Sequence, residues 1–347
     1  MSLELETAAD RAHLRRVAID PVSRVEGHGK VTLLLDEGGH VQEARLHIVE
    51  FRGFEKFIQG RPYWEVPVMV QRLCGICPVS HHLAASKALD HALGVRALTP
   101  SADALRRLMH YGQILQSHAL HFFHLSSPDL LFGFDSEVAR RNIVGVAAAE
   151  PEIAKKGILL RKFGQEVIRI TAGKRIHGTG AIPGGVNKSL SPTERDELLR
   201  DADTMIDWSR DAVALARRLH ESDADLYDHF GEVPGQFLSL VRPDGALDLY
   251  DGVLRLRGAD GRVVRDGIPC TDYLGHITEA VRPWSYMKFP YITTQGPDTG
   301  WYKVGPLARV QNCDLIPTPR AEAARQAFLA HGDGAPLHGP LAFHWAR

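Results

Sequence analysis

The sequence predicts an α+β fold that is mainly α: a long-helix bundle core with an N-terminal β-meander and a small β insertion. Three observations predict it. Residues 17–50 alternate apolar and polar side chains around turn residues, the period of paired strands. Residues 80–229 carry apolar residues three and four apart in stretches bounded by capping and stop signals. Residues 237–265 then return to short β-like runs separated by Pro243-Asp244-Gly245 and Asp260-Gly261.

In chain order, residues 17–20 and 29–36 read as strands, and the turn Asp36-Glu37-Gly38-Gly39 leads into a third at 40–50, where Val41, Ala44, Leu46 and Ile48 suggest pairing. A loop and short helix follow at 51–60, and residues 66–73 form a helix delivering the chain to Cys74. The next helix, 80–93, stops at Gly94. Thr99-Pro100-Ser101 starts another over 102–125, which Ser127-Pro128 ends. Residues 136–150 and 151–172 read as two further helices, and the glycine-rich stretch 173–190 as a loop. Ser191-Pro192-Thr193-Glu194 is a capping signal for a helix running to about His229. Beyond the β insertion, 273–281 reads as a weak helix, 284–305 as an aromatic, glycine-rich loop, and 320–330 as a helix. The segment from Gly339 reads as the start of one more helix. The whole chain, 1–347, reads as a single domain carrying the insertion at 237–265.

Composition narrows the function classes. A formal net charge of −1 offers nothing for nucleic acid or an anionic membrane. No apolar run approaches the roughly 20 residues of a membrane helix, and residues 1–16 hold no hydrophobic signal core, which points to the cytoplasm. Four cysteines are too few for a disulfide framework in this length, and two of them form one CxxC.

That pair, Cys74 and Cys77, lies in Arg72-Leu73-Cys74-Gly75-Ile76-Cys77-Pro78-Val79-Ser80-His81. Two thiolates at this spacing converge on one soft metal ion. A dithiol redox pair and two buried structural thiols are the competing readings, although no βαβ pattern surrounds the motif. His81, one helical turn after Cys77, is placed either to hydrogen-bond a thiolate or to cap the helix at the surface. Glu26, in Arg24-Val25-Glu26-Gly27-His28, is either a proton acceptor or one half of a surface Arg–Glu pair. Glu50 and Glu55 are candidate oxygen ligands for a hard cation, or solvated acids. His118, His121 and His124 recur every three residues, so two could share a metal, though packing is the plainer reading. Gly173–Gly185 lacks the lysine-serine/threonine ending of a phosphate loop.

These segments, in this order and spacing, resemble nickel–iron hydrogenase large subunits. They are residues 20–28 (DPVSRVEGH), 50–55 (EFRGFE) and 71–77 (QRLCGIC). Residues 49–56, 79–83, 284–291 and 344–347 are similar to the soluble NAD-reducing (bidirectional) group in particular. The resemblance implies a helical bundle edged by β layers and a nickel–iron centre with carbonyl and cyanide ligands on iron. It implies that Cys74 is a terminal nickel ligand, that Cys77 bridges nickel and iron, and that Glu55 binds magnesium. Glu26 would relay protons, and His81 would hydrogen-bond the bridging sulfur. The implied reaction is reversible heterolytic cleavage of H2. With so few cysteines here, the iron–sulfur clusters would belong to a small subunit, and flavin and NAD to a diaphorase module further along.

The family pattern also holds a second CxxC followed by a histidine, and Cys270 and Cys313 do not match it. The reading is therefore of the N-terminal part of a large subunit, whether as a fragment, a truncated product, or one half completed by another polypeptide. Two alternatives of other classes are a catalytically inactive scaffold related to respiratory complex I and a cytosolic zinc or dithiol protein.

Overall fold

The computed structural model describes residues 13–23, 25–50 and 52–347. The sequence reading of residues 1–12 lies outside them. Two compact units are formed: one from residues 1–53, 235–246 and 252–314, the other from 54–234, 247–251 and 315–347.

The chain opens with the expected meander of β1 (Arg15–Ile19), β2 (Gly29–Leu35) and β3 (Val41–Ile48), antiparallel in the order β1-β2-β3. The buried face of β3 is not the one its apolar residues suggest. Val41 and Leu46 are exposed, while Arg45 and His47 are buried. Inward polar groups are tolerated here because each is satisfied. The His47 Nδ1–H donates to the Trp284 carbonyl at 2.8 Å, and Nε2 takes the Thr32 hydroxyl at 2.7 Å. Arg45 pairs with Glu43 and lies 4.8 Å over the Trp284 ring.

The second unit begins at α1 (Phe54–Phe57) and α2 (Val66–Val70), followed by a 3-10 turn at Gln71–Leu73. Helix α3 (Pro78–Ala92) then runs to Gly94, whose φ of +72° ends it at no steric cost. Helix α4 (Pro100–Leu120) is capped by the Thr99 hydroxyl, which accepts from the Ala102 N–H. It does not end at Ser127-Pro128. A π-helical stretch, His121–Ser126, carries it into α5 (Ser127–Phe132). The wide turn accommodates the Pro128 ring, which lacks an N–H and would clash with a regular preceding turn. It also rotates the histidine stripe apart. His121 stacks on His344 with ring centroids 5.6 Å apart, and the three stripe histidines form no common donor cluster among the described residues.

The helix expected over 136–150 shrinks to α6 (Ile143–Ala149), because Asn142 caps it through the amides of Val144 and Gly145. Helix α7 (Pro151–Ala172) ends at Gly173, as its spacing predicts. The glycine-rich stretch holds a two-stranded ribbon, β4 (Ala181–Ile182) with β5 (Gly185–Val186). Helix α8 (Pro192–Ser222) opens with the predicted capping box of Ser191 and Glu194. It breaks at Asp223, whose side chain caps the separate α9 (Ala224–His229).

In the first unit, β6 (Gln236–Val241), β7 (Val253–Arg257) and β8 (Val263–Pro269) pair antiparallel, and the sheet runs past residue 265. Where a weak helix was expected there is a 3-10 turn and β9 (Ile277–Val281), paired with β10 (Lys288–Ile292). The expected aromatic loop therefore contains strands, including β11 (Tyr302–Lys303), parallel to β6. Helix α10 (Pro306–Asn312) was not foreseen. In the second unit, α11 (Pro319–His331) and the short α12 (Phe343–Ala346) complete the chain.

Helices α4 and α7 approach closely because two of their contact positions are glycine, and a third glycine, on α7, faces the π-helical stretch. A Cβ on Gly164 would stand 2.7 Å from the Gln116 nitrogen and the Gly112 carbonyl oxygen, and one on Gly112 would meet Val167. One on Gly157 would collide with the Phe123 side chain. Beside this contact, buried Arg106 of α4 binds Asp90 of α3 at 2.5 Å and the carbonyls of Ile182 and Gly185. The amide of Gly184 donates to Asp90 at 2.6 Å, so one buried pair ties α3, α4 and the ribbon.

Gly164→Ala is expected to destabilise the chain by about 1–3 kcal/mol in urea unfolding. An exposed helix would instead gain about 1 kcal/mol from the same change, so unchanged or higher stability contradicts the close packing.

His121 and His344 give a pH dependence. Burial, and then the Arg347 charge, lower both imidazoles from 6.5 to about 4. Between those values the unfolded chain binds more protons. Stability present above pH 6.5 is therefore lost as pH falls toward 4. A His121→Phe/His344→Phe variant should show a flatter decline over that range in thermal melts, and an unaltered slope would count against it.

Candidate metal centre

Cys74 follows the 3-10 turn in an extended conformation (φ −146°, ψ 132°), and Cys77 occupies the N-cap position of α3. Between them Gly75 and Ile76 turn the chain back, so the Cys77 N–H donates to Cys74 Sγ at 3.3 Å. His81, one turn into α3, brings a ring nitrogen to the same place. The donor atoms of Cys74, Cys77 and His81 lie within 4.8 Å of one another, and all three residues are half-buried. Pro78 suits the first helical turn, where no N–H is needed.

Two side chains of α4 hold the loop from below. Gln113 and Gln116 donate their Nε2 hydrogens to the Ile76 carbonyl at 3.1 and 2.9 Å. His82 fixes the start of α3 and is wholly buried. Its Nδ1–H donates to the Pro67 carbonyl at 2.9 Å, and its Nε2 accepts the Ala181 N–H at 3.1 Å. Burial lowers its pKa, in keeping with the neutral tautomer those two bonds require. Arg72 donates to Nδ1 of His177 at 2.9 Å. His177 has φ +55°, a strained value for a residue with a side chain.

Of the residues singled out in the sequence, Cys74, Cys77 and His81 come together. Glu55 sits exposed on α1 and is not part of their donor group. Glu26 belongs to the first unit, exposed on the turn before Gly27 (φ +80°); Arg24, its possible ion-pair partner, lies outside the described residues. Glu50 is engaged by His28, whose backbone N–H and ring both reach Oε1, and this holds its carboxyl below the usual value. Cys270 is exposed and directs its thiol to the Gly252 carbonyl, while Cys313 is buried. The supporting residues Gln113, Gln116, His82 and His177 were missed, although two glutamines three apart on an apolar helix were a readable signal.

Two thiolates and an imidazole suit nickel, zinc or iron and not magnesium or calcium. The donor set therefore fits a thiolate-rich transition-metal centre, of which it supplies two sulfurs.

Replacing both Gln113 and Gln116 by Leu should free the Ile76 carbonyl. Alkylation of Cys74 and Cys77 by iodoacetamide is then expected to quicken about fivefold or more, for two lost hydrogen bonds. Unchanged rates at unchanged circular dichroism would show that the glutamines do not hold the loop.

A model of the nickel-dependent hydrogenase family matches residues 52–135, and a HoxL-like model matches residues 16–51. The chain is 45% identical over 344 residues to the NAD-reducing hydrogenase HoxS subunit beta of Cupriavidus necator, across 96% of this chain and 70% of that protein. It is 46% identical over 332 residues to one component of the vhu F420-non-reducing hydrogenase of Methanocaldococcus jannaschii, across 96% and 78%. A crystal structure of an NAD+-reducing NiFe-hydrogenase in the H2-reduced state superposes with a TM-score of 0.93 at 59% identity, over 96% of this chain and 74% of that one. The NiFeSe-hydrogenase of Dm. baculatum shares the fold at 22% identity and a TM-score of 0.75. With this much identity over nearly its whole length, and with a thiolate pair and histidine converging in the matched segment, the chain belongs to the nickel-dependent hydrogenase family.

Proposed function

We propose that this chain is the hydrogen-activating large subunit of a nickel–iron hydrogenase that passes electrons toward NAD. The convergence of Cys74, Cys77 and His81 carries the reading, because a scaffold with no metal to hold has no use for it. The similarity to one component of an NAD-reducing hydrogenase, and to the structure of an NAD+-reducing NiFe-hydrogenase, supports the electron acceptor.

When bound, a nickel–iron centre carrying carbonyl and cyanide ligands supplies the heterolytic splitting of H2 into hydride and proton. The residues of this chain hold and serve it. Cys74 and Cys77 would hold the centre through their thiolates, and the 3.3 Å contact from the Cys77 amide fixes the Cys74 sulfur. His81 donates a hydrogen bond to the Cys77 sulfur, which orients it and tempers its charge. Glu26 accepts the proton and releases it outward from its exposed turn. Glu55 offers an oxygen to magnesium. The remaining two thiolates of the family's four are not Cys270 or Cys313, neither of which lies in a CxxC.

Iron–sulfur clusters of a small subunit would carry the electrons away, since the two other cysteines here, Cys270 and Cys313, are too few for a four-thiolate cluster. A flavin-bearing diaphorase module would supply the reduction of NAD. Among the described residues no helix is long and apolar enough to cross a membrane, which is compatible with the cytoplasmic setting such an enzyme needs.

The test is nickel analysis and infrared spectroscopy of the assembly purified with its partner subunits. Stoichiometric nickel with carbonyl and cyanide bands is expected, and Cys77→Ser should abolish the nickel. Glu26→Gln should keep the metal and bands while lowering H2-dependent turnover by about 100-fold or more. Absent nickel and absent bands would overturn the reading. Full turnover in Glu26→Gln would remove the relay role alone.

A further inference from the structure

A second group of metal-ligand side chains lies in the helical unit, apart in sequence from the cysteine motif. His220 stands in the last turn of α8, Asp228 on α9, and His331 at the end of α11. The break at Asp223 turns α9 back so that its carboxylate falls between the two rings. Nε2 of His220 is 2.7 Å from Asp228 Oδ1, and Nε2 of His331 is 3.0 Å from Oδ2. The three donor atoms all lie within 4.8 Å of one another.

We propose that His220, Asp228 and His331 form a binding site for one divalent cation of the zinc class. The donor set decides the class. Two imidazoles and one carboxylate suit zinc, cobalt or nickel, whereas magnesium and calcium take oxygen shells. Three protein ligands leave a fourth tetrahedral position for water. The side chain of His220 is 1% exposed, while those of Asp228 and His331 are 20% and 18% exposed, so an ion can enter from their side.

The protonation states agree. Burial lowers the His220 pKa and keeps its imidazole neutral, and the two imidazoles hold the Asp228 carboxyl below its usual value against the effect of burial. A metal ion requires neutral imidazole and ionised carboxylate.

The walls are rigid. Trp345 packs on both rings with centroids 5.4 Å away, and Tyr227 lies 5.2 Å from His220. In the metal-free form each Nε2–H donates to the carboxylate, and the two N···O separations must widen by a few tenths of an ångström to admit an ion. Nδ1 of His220 is buried with no hydrogen-bond partner among the described residues. Metal binding moves a proton onto that nitrogen, which makes the site weaker than one whose histidines are backed by acceptors. Its consequence would be to clamp α8, α9 and α11 together, with α12 packed on them through Trp345.

Cobalt(II) titration of the full chain separates this site from the cysteine cluster. Cobalt on Cys74 and Cys77 gives intense thiolate-to-metal absorption in the near ultraviolet, whereas a nitrogen and oxygen site gives only weak visible bands. The proposal expects both signals in sequence, the second displaced by zinc. His331→Gln keeps a hydrogen-bond donor to Asp228 but removes the metal-binding lone pair. It should weaken the second site by about tenfold or more and leave the thiolate band unchanged. Zinc should also raise the melting temperature of a Cys74→Ser/Cys77→Ser chain more than that of the same chain carrying His331→Gln. A titration that saturates with thiolate bands alone overturns the proposal, as does an undiminished second site in a folded His331→Gln chain. Should His331→Gln fail to fold, the titration of the parent decides by itself.

Discussion

The glycine-mediated approach of α4 and α7 is the constraint on which the candidate centre depends. Gly112 and Gly164 let two long helices touch nearly backbone to backbone, and Gly157 makes room for the Phe123 ring of the π-helical stretch. That contact fixes α4, and α4 carries both supports of the centre. Gln113 and Gln116 hold the Ile76 carbonyl between the cysteines, and Arg106 pins α3 through buried Asp90. The thiolate loop is thus held by groups on regular elements, which position ligands more tightly than a free loop can.

A division of labour runs through the neighbouring histidines. His81 turns its ring to the thiolates, while His82 is spent on structure, holding Pro67 on one side and Ala181 on the other. Adjacent residues on a helix point about 100° apart, so one faces the site and the next faces the core. The same economy governs Glu50, which opens the second motif of the resemblance but is occupied with His28.

Much of this was legible in the residues. The capping box at Ser191 and the αL glycine at Gly173 are local rules, obeyed wherever they occur, so α8 begins and α7 ends where they say. The cysteine motif brings Cys74, Cys77 and His81 together because CxxC followed by histidine one helical turn later closes over a short distance. What failed has one cause, which is that tertiary partners override local pattern. Strand β3 buries Arg45 and His47 because Trp284, distant in sequence, satisfies them. Residues 277–281 form a strand because residues 288–292 pair with them, a partner that the local pattern of 277–281 does not show. The π turn at His121–Ser126 has no sequence period of its own, so a continuous helix ending at Pro128 was the natural reading. The His220, Asp228 and His331 group was invisible for a similar reason: three helices supply one residue each.

The central claim is that Cys74 and Cys77 are nickel ligands, and anomalous diffraction at the nickel edge from crystals of the assembled enzyme tests it most directly. The account predicts a nickel peak within bonding distance of both sulfurs, with a second metal on the Cys77 side. No nickel peak at the pair, or a peak only at the zinc edge, would contradict it.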